Sequence, residues 1–249
     1  MAVHTDKAHL KSKTKTQQFT PLPLPTQDRI DYAIALHVYA GGFLPLFQII
    51  AETKHDRVLS TAADLAACCM RNNEKCQQWA LEVGGLATLH KAHTNLELSA
   101  DVRAKVLGAV SSLVQNNEAA EAAFLASGGV AVLVHDLKGI GRRLKVKSLF
   151  MLQWLLASSA AARTRALGED GEGLADLLES SVQDEDDEIA ELGAMSLATM
   201  IKESKGFVGD VEKLKGAVEQ RMNVRGVAQG ESESTYDALK ELKSMLWQL

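Results

Sequence analysis

The sequence is short of proline and of aromatic residues. Its 249 residues include only 4 prolines, the last of them Pro45, and aromatic side chains make up 5%. A β-sandwich or barrel uses proline and glycine at many turns and aromatic residues in its strands. Their scarcity disfavours an all-β fold. The abundance of Ala, Leu, Glu and Lys after Pro45 favours an all-α one.

Cysteine and long apolar runs are also scarce. The chain has three cysteines, Cys68, Cys69 and Cys76. An odd number of cysteines this close together predicts buried, reduced thiols rather than a disulfide framework. No run of about 18 apolar residues occurs, so no membrane span is expected. The first residues lack the apolar core of a signal peptide. We therefore expect a cytoplasmic protein, with the ER lumen possible only if a leader was removed from this sequence.

Neither a basic excess nor a catalytic motif is present. The chain carries 27 Lys plus Arg against 32 Asp plus Glu, a net charge of −5, which disfavours nucleic acid as a partner. No GxSxG, HExxH or P-loop lysine occurs, so we expect no enzyme activity and no cofactor. His90 and His93 have a turn-like spacing but no further ligands, and we interpret them as solvated loop histidines rather than a metal site.

The sequence does contain a repeat of about 43 residues, marked by glycines. Each glycine pair is followed by an apolar run and then by a longer amphipathic segment. These long segments end in small polar pairs that keep the same phase, namely Asn72-Asn73, Asn116-Asn117 and Ser158-Ser159. The glycine pairs stand at 41–42, 84–85 and 128–129, spaced 43 and 44 apart, and a looser Gly171-Glu-Gly173 follows.

A period in the low forties with three helical pieces is typical of armadillo repeats. The first glycine of a pair would end the first helix in a left-handed cap, and the second would let the next helix begin close by. The third and longest helix would line the concave face. The sequence thus predicts an all-α, armadillo-like α-solenoid of about four three-helix repeats with a C-terminal capping helix. The predicted divisions are a basic, disordered tail at 1–26, the repeats at 27–222, and a linker and cap at 223–249.

The candidate site is the exposed stripe of the third helices. Leu107, Val110, Leu113 and Val114 are expected to face the core, so the opposite stripe should face the groove. Phe150 and Trp154 lie one turn apart on that stripe, either as a binding anchor or tucked under a neighbour. The candidate partner-binding residues are Asp64, Arg103, Lys105, Ser112, Lys145, Lys147, Phe150, Trp154, Met195 and Thr199.

Two of the third helices resemble a known family. DVRAKVLGAVSSLVQNN and RRLKVKSLFMLQWLLAS are similar to third helices of the armadillo nucleotide exchange factors that bind Hsp70, both cytosolic and ER-lumenal. The resemblance implies a monomeric co-chaperone that clasps the Hsp70 ATPase domain and promotes ADP release without chemistry of its own. Trp154 departs from the small or amide residue usual at its position. The residues that match the family are Arg103, Lys105, Lys145, Lys147, Ser148, Phe150 and Gln153.

The alternative is an armadillo scaffold that binds an extended peptide of another protein. Such scaffolds favour a ladder of asparagine and tryptophan along the groove over many repeats. The equivalent positions here are Cys68, Ser112, Trp154 and Thr199, which form no such ladder, and four repeats make a short groove.

Overall fold

The chain folds into a succession of helices. The computed structural model describes residues 26–204, 209–225 and 232–248, so the predicted tail lies outside them except for its last residue, Thr26. These ranges contain helices and no strand, which confirms the all-α prediction. A short 3-10 helix, Glu169–Gly171, lies between α10 and α11. The α-helices are α1 (Thr26–Ala40), α2 (Phe43–Glu52), α3 (Asp56–Met70), α4 (Glu74–Glu82), α5 (Gly85–His93), α6 (Ala100–Val114), α7 (Glu118–Ala126), α8 (Gly129–Leu137), α9 (Arg142–Ser158), α10 (Ala160–Ala166), α11 (Leu174–Val182), α12 (Asp187–Ser204), α13 (Val211–Arg225) and α14 (Glu233–Leu246).

Twelve of these helices make four repeats of three. In each repeat the second helix packs on the third, as α2 does on α3 and α11 on α12. The third helices pack side by side in the order α3, α6, α9 and α12, and we call these four the third-helix layer. One repeat cannot bury its apolar stripe alone, so this stacking supplies the continuous core. The predicted four three-helix repeats are confirmed.

The polar pairs each end one helix and begin the next. Asn72 and Asn116 have φ of 53° and 59°, the left-handed conformation that closes the C-terminus of α3 and of α6. The following residue then caps the next helix, since the Asn73 side chain accepts a hydrogen bond from the backbone N–H of Cys76. Asn117 and Ser159 cap α7 and α10 in the same way. The dipeptide therefore fixes the boundary between successive repeats.

The two glycines of each pair have different roles, as the sequence predicted. Gly128 has φ of +76°, which a residue with a Cβ rarely adopts. Gly129 has an ordinary φ but begins α8 against the buried ring of Phe124, and a Cβ there would lie 2.3 Å from that ring. The first glycine therefore turns the chain and the second permits close packing of the two helices.

Gly129→Ala should lower the free energy of unfolding by about 1–3 kcal/mol, because the Phe124 ring must leave its position to admit the methyl group. Gly108 in α6 provides the matched control, since a Cβ there would meet no atom within 4 Å. Gly108→Ala should raise stability by up to about 1 kcal/mol through helix propensity. Urea unfolding of both variants measures the difference, and equal effects would contradict this account of the glycine pair.

The core runs along the inner side of the third-helix layer. The four α6 residues predicted to face it, Leu107, Val110, Leu113 and Val114, are at most 1% exposed, so that prediction is confirmed. Leu149, Met151, Leu152, Leu155 and Leu156 of α9 have no exposed surface at all.

The C-terminal end is covered by two helices, α13 and α14. The predicted boundary at residue 222 falls inside α13, which packs against both α11 and α14. Arg221 of α13 is buried and donates hydrogen bonds to the Asp184 carbonyl and, at 3.1 Å, to the Asp187 carboxylate at the start of α12. α14 lies on α12 as the next third helix would.

The three cysteines differ in exposure. The prediction that all are buried is wrong for Cys68, which is exposed on α3, whereas Cys69 and Cys76 are buried. Burial raises the pKa of the Cys69 thiol to about 11 and that of Cys76 to about 12. A maleimide reacts with the thiolate. We therefore expect rapid labelling of Cys68 alone in the folded protein and of all three in urea, as counted by mass spectrometry. Loss of fast labelling in Cys68→Ser is the control.

Candidate partner-binding surface

The exposed stripe of the third helices, which we call the outer stripe of the third-helix layer, presents an aromatic patch. We define this patch as Phe150 and Trp154 of α9. Phe150 is 49% exposed, although it lies between helices that are otherwise well packed. Trp154 is partly buried and packs against the core, so part of it is tucked under its neighbours, while its role as a binding anchor stays a prediction. The position of α6 that matches Phe150 is Gly108, where a Cβ would meet no atom within 4 Å.

On α12 the stripe continues with Met195 and Thr199. Both are partly buried, and Met195 packs against the core. Because α12 packs beside α9, the repeat phase predicts that these two residues continue the strip that begins with the aromatic patch. Large aromatic and methionine side chains of this kind are enriched at the centres of protein interfaces.

The lysines of the stripe are mostly paired with acids of the neighbouring repeat. The Nζ of Lys105 lies 2.5 Å from an Asp64 carboxylate oxygen, which joins α6 to α3. Lys145, half-buried on α9, has its Nζ 3.4 Å from Asp184. Lys147 is exposed and has no ion-pair partner within the part of the chain that the structure describes. Of these three candidate lysines, only Lys147 therefore presents an unmatched charge.

Two more ion pairs between repeats involve Arg142. Arg142 at the start of α9 binds Asp186 and, at 3.0 Å, Glu188. The hydrogen bond from Arg142 holds the pKa of the Asp186 carboxyl below its ordinary value, and the same contact raises the pKa of Arg142. These acids therefore tie α12 to α9.

Two of the predicted surface residues are buried, which corrects their assignment to the exposed stripe. The Ser112 hydroxyl donates to the Gly108 carbonyl at 2.9 Å, within its own helix. Arg103 is 8% exposed because its guanidinium turns inward, where Nη2 lies 2.5 Å from Asp136 Oδ1 and Nε donates to the His93 carbonyl at 2.7 Å. Neither side chain is presented to a partner.

Arg103 belongs to a buried polar cluster that the sequence analysis missed. Asp136 of α8 also receives the Ser148 hydroxyl at 3.0 Å and has His93 Nε2 at 2.8 Å, both on Oδ2. We call Arg103, Asp136, His93 and Ser148 the buried cluster; it joins α6, α8, α5 and α9. The interpretation of His93 as a solvated loop residue is wrong, since it ends α5 and is 1% exposed. The signal was the repeat itself, because His93 and Asp136 are 43 residues apart in successive second helices.

The described ranges contain no group of three or more His, Cys, Asp or Glu residues that could hold a metal ion. No single helix in them is long and apolar enough to cross a membrane, and only two sharply bent helix pairs reach that length and composition together.

Comparison with known proteins identifies the family. Residues 35–199 match the family model described as the SIL1/FES1/HPBP1 C-terminal domain, and they make up more than half of the chain. The chain belongs to this family. The matched range of this SIL1/FES1/HPBP1 domain includes the whole aromatic patch and the whole buried cluster.

Two curated relatives of this SIL1/FES1/HPBP1 domain are similar over part of their length. The chain is 30% identical over 121 residues to the Hsp70 nucleotide exchange factor FES1 of Eremothecium gossypii, covering 47% of this chain and 41% of that protein. It is 39% identical over 97 residues to human Hsp70-binding protein 1, covering 38% of this chain and 26% of that protein. The chain therefore spans less than half the length of either relative.

Solved armadillo structures share the fold. A designed armadillo repeat protein in complex with the peptide (KR)4 superposes with a TM-score of 0.68 at 15% identity, covering 88% of this chain and 90% of the other. The armadillo repeats only protein of Plasmodium falciparum gives 0.63 at 16% identity, with 90% and 100% covered. This likeness confirms the armadillo-like solenoid.

Proposed function

We propose that this protein is a co-chaperone that binds the ATPase domain of an Hsp70-class chaperone and promotes ADP release. The observation that carries the proposal is the family match over residues 35–199, which includes α3, α6, α9 and most of α12. The names of the two relatives, a nucleotide exchange factor and an Hsp70-binding protein, support it. Free thiols at all three cysteines are consistent with a reducing, cytoplasmic setting, and we propose that the protein acts as a monomer.

The mechanism is differential binding rather than chemistry. A protein that binds the open form of the ATPase domain more tightly than the closed, ADP-bound form must weaken ADP binding by the same factor. ATP, which the ATPase domain also holds tightly, would then release the co-chaperone through the same coupling. The co-chaperone needs only a rigid surface that fits one form better.

The surface proposed for this contact is the outer stripe of the third-helix layer, on the concave side of the solenoid. Phe150 and Trp154 supply the apolar centre, Met195 and Thr199 extend it, and Lys147 supplies a charge for an acidic partner surface. Aromatic anchors at the centre of an interface contribute most of its binding free energy. The ion pairs Lys105–Asp64 and Lys145–Asp184 line its edge, and the buried Arg103 and Ser112 support it from beneath.

The direct test is the rate at which a fluorescent ADP analogue leaves a purified Hsp70 ATPase domain when excess ATP is added. We expect this protein to accelerate release. No acceleration by the folded protein would contradict the proposal. Tight binding of an extended peptide in its place would favour the armadillo scaffold.

Substitutions on the stripe test its location. Phe150→Ala and Lys147→Glu should each weaken the acceleration, with Phe150→Ala lowering affinity for the ATPase domain by about 30-fold if it loses about 2 kcal/mol as an interface anchor. Both side chains are exposed, so melting should change little. Lys75→Glu, an exposed lysine on α4, is the matched control and should behave as wild type. Unchanged exchange by both stripe variants would refute the surface while leaving the function intact.

A further inference from the structure

The two ends of the solenoid are covered differently. At the C-terminal end, α14 packs against α12 in the place of a further third helix. At the N-terminal end, α3 packs against α6 on one side, and no third helix precedes α3 in the part of the chain that the structure describes. The end repeat of a solenoid needs a cover, because its outward apolar side would otherwise meet water.

The uncovered end contains an apolar groove of about 380 Å³ between α2 and α3. Ile49, Val58 and Leu65 line this groove, and each of them is 45% exposed. Leu46 and Ala62 line it as well and are buried. Adjoining exposed apolar side chains of this kind mark a surface that another segment or molecule covers.

The same positions are buried where a preceding repeat is present. With the 44-residue spacing of the asparagine pairs, Val58 and Leu65 of α3 correspond to Val102 and Ala109 of α6. Val102 is 5% exposed and Ala109 has no exposed surface, since α6 packs against α3. The groove is therefore open because it stands at the end of the series, where the neighbour that would close it is missing from the described ranges.

The chain immediately before α1 has a composition that matches this groove. Residues 16–27 contain no charged residue, whereas the lysines of the predicted tail all lie before them. Within this uncharged stretch, residues 19–25 read FTPLPLP, so that Phe19, Leu22 and Leu24 are interspersed with three of the four prolines of the chain. We call residues 19–25 the proline segment.

Proline gives this segment a backbone that suits a helical surface. A proline has no N–H, so three backbone donors that would otherwise need partners are absent. The carbonyl groups remain, and Arg57 at the groove offers donors to them. Each residue before a proline favours the extended region, so docking costs less conformational entropy than it would for an ordinary chain. Extended proline-rich segments are recognised by apolar grooves in this way.

We propose that the proline segment lies in the groove of the same chain and covers the N-terminal end of the solenoid. Because α1 packs against α3, its first residue, Thr26, lies within one helix length of that contact, about 22 Å for fifteen residues. The seven residues of the segment span about 22 Å when extended, so they reach the first repeat. The lysine-bearing residues 1–15 lie outside this contact. For residues 19–25 we therefore depart from the expectation of a tail that is disordered throughout.

The covalent link to α1 favours this occupant over a second copy of the protein. A segment joined to the surface that it binds has an effective concentration in the millimolar range, which a separate chain at micromolar concentration does not match. Covering the groove from within the chain also keeps two solenoids from stacking end to end. The proline segment thus takes the part at one end that α14 takes at the other.

Photo-crosslinking in the full chain tests where the segment lies. With p-benzoylphenylalanine in place of Phe19, irradiation at micromolar concentration should join position 19 to α2 or α3 of the same chain, as identified by mass spectrometry of the monomer band. The same group in place of His4 is the control and should not join to the groove. Crosslinks only between two chains would show that a second copy occupies the groove, and crosslinks to neither helix would place the segment elsewhere. Either result would overturn the proposal.

A double-mutant cycle tests whether the segment and the groove touch. Leu22→Ser/Leu24→Ser in the segment and Leu65→Ser in the groove should each lower the melting temperature of the full chain by about 2–4 °C. Combining them should lower it by less than the sum, because both changes remove the same contact. Leu10→Ser, outside the segment, is the matched control and should leave melting unchanged. Additive losses, or segment substitutions without effect on melting, would overturn the proposal.

Discussion

Asp136→Ala should lower the free energy of unfolding by about 3–5 kcal/mol, the cost of leaving a buried cation without its counter-ion. The Asp136 side chain is fully buried, and its Oδ1 lies 2.5 Å from Nη2 of Arg103. Its removal would leave Arg103 and His93 facing each other in a site closed to water. Urea unfolding monitored by circular dichroism gives the loss, and a value below 1 kcal/mol would contradict the importance assigned to this carboxylate.

An exposed ion pair of the same length provides the control. Lys105 and Asp64 also approach to 2.5 Å, but their side chains are 37% and 51% exposed. Exposed pairs contribute about 0–1 kcal/mol because water already solvates each charge and the side chains lose freedom. Asp64→Ala should therefore cost much less than Asp136→Ala, although the two distances are equal.

Removing Arg103 together with its counter-ion distinguishes an unpaired charge from a lost contact. The double variant Arg103→Met/Asp136→Leu replaces the ion pair by two apolar side chains while His93 and Ser148 stay in place, and such replacements of buried pairs are often close to neutral. We expect it to be more stable than Asp136→Ala alone. A double variant as unstable as the sum of the single ones would indicate that packing, not charge, explains the loss.

Ending the chain at Arg225, and so removing α14, should leave a protein that aggregates. Leu239, Leu242 and Leu246 have no exposed surface, and their burial contributes roughly 1.5–3 kcal/mol each. That sum is comparable with the total stability of about 5–15 kcal/mol of an ordinary domain. The deletion would also expose the apolar side of α12, which is an unprotected end of a solenoid.

A single substitution gives a measurable version of this experiment. Leu242→Ala should cost about 2–5 kcal/mol, whereas Lys240→Ala at an exposed position of the same helix should change stability by less than about 0.5 kcal/mol. A soluble, cooperatively unfolding protein that ends at Arg225 would show that α14 is not needed as a cap.

The repeats could be predicted from the sequence because their boundaries depend on local backbone chemistry. Gly128 needs a left-handed φ, and Asn116 tolerates one, whatever the rest of the chain does. Those requirements recur with the period and are visible without a structure. The second role of the polar pair, in which Asn117 caps α7, follows from the same local rule.

The direction of the Arg103 side chain could not be predicted in that way. Its phase on α6 matches Lys145 on α9, which lies half-buried near the surface. Arg103 turns inward because the Asp136 carboxylate stands opposite it on α8. The repeat does not predict a carboxylate there, since the equivalent residue of α5 is His93. Burial of a charge depends on a partner from another repeat, so a pattern within one helix does not reveal it.

The third helices pack in series, so the position of each one depends on every interface before it. Each third helix rests on the one before it, so a small rotation at one interface carries every later helix with it, and the displacement grows with distance from the pivot. The buried cluster lies at the interface between α6 and α9, and a rotation at that interface would move α12 and α14, which follow α9 in the series. A change of a fraction of an ångström around Asp136 is therefore magnified at the C-terminal end of the solenoid.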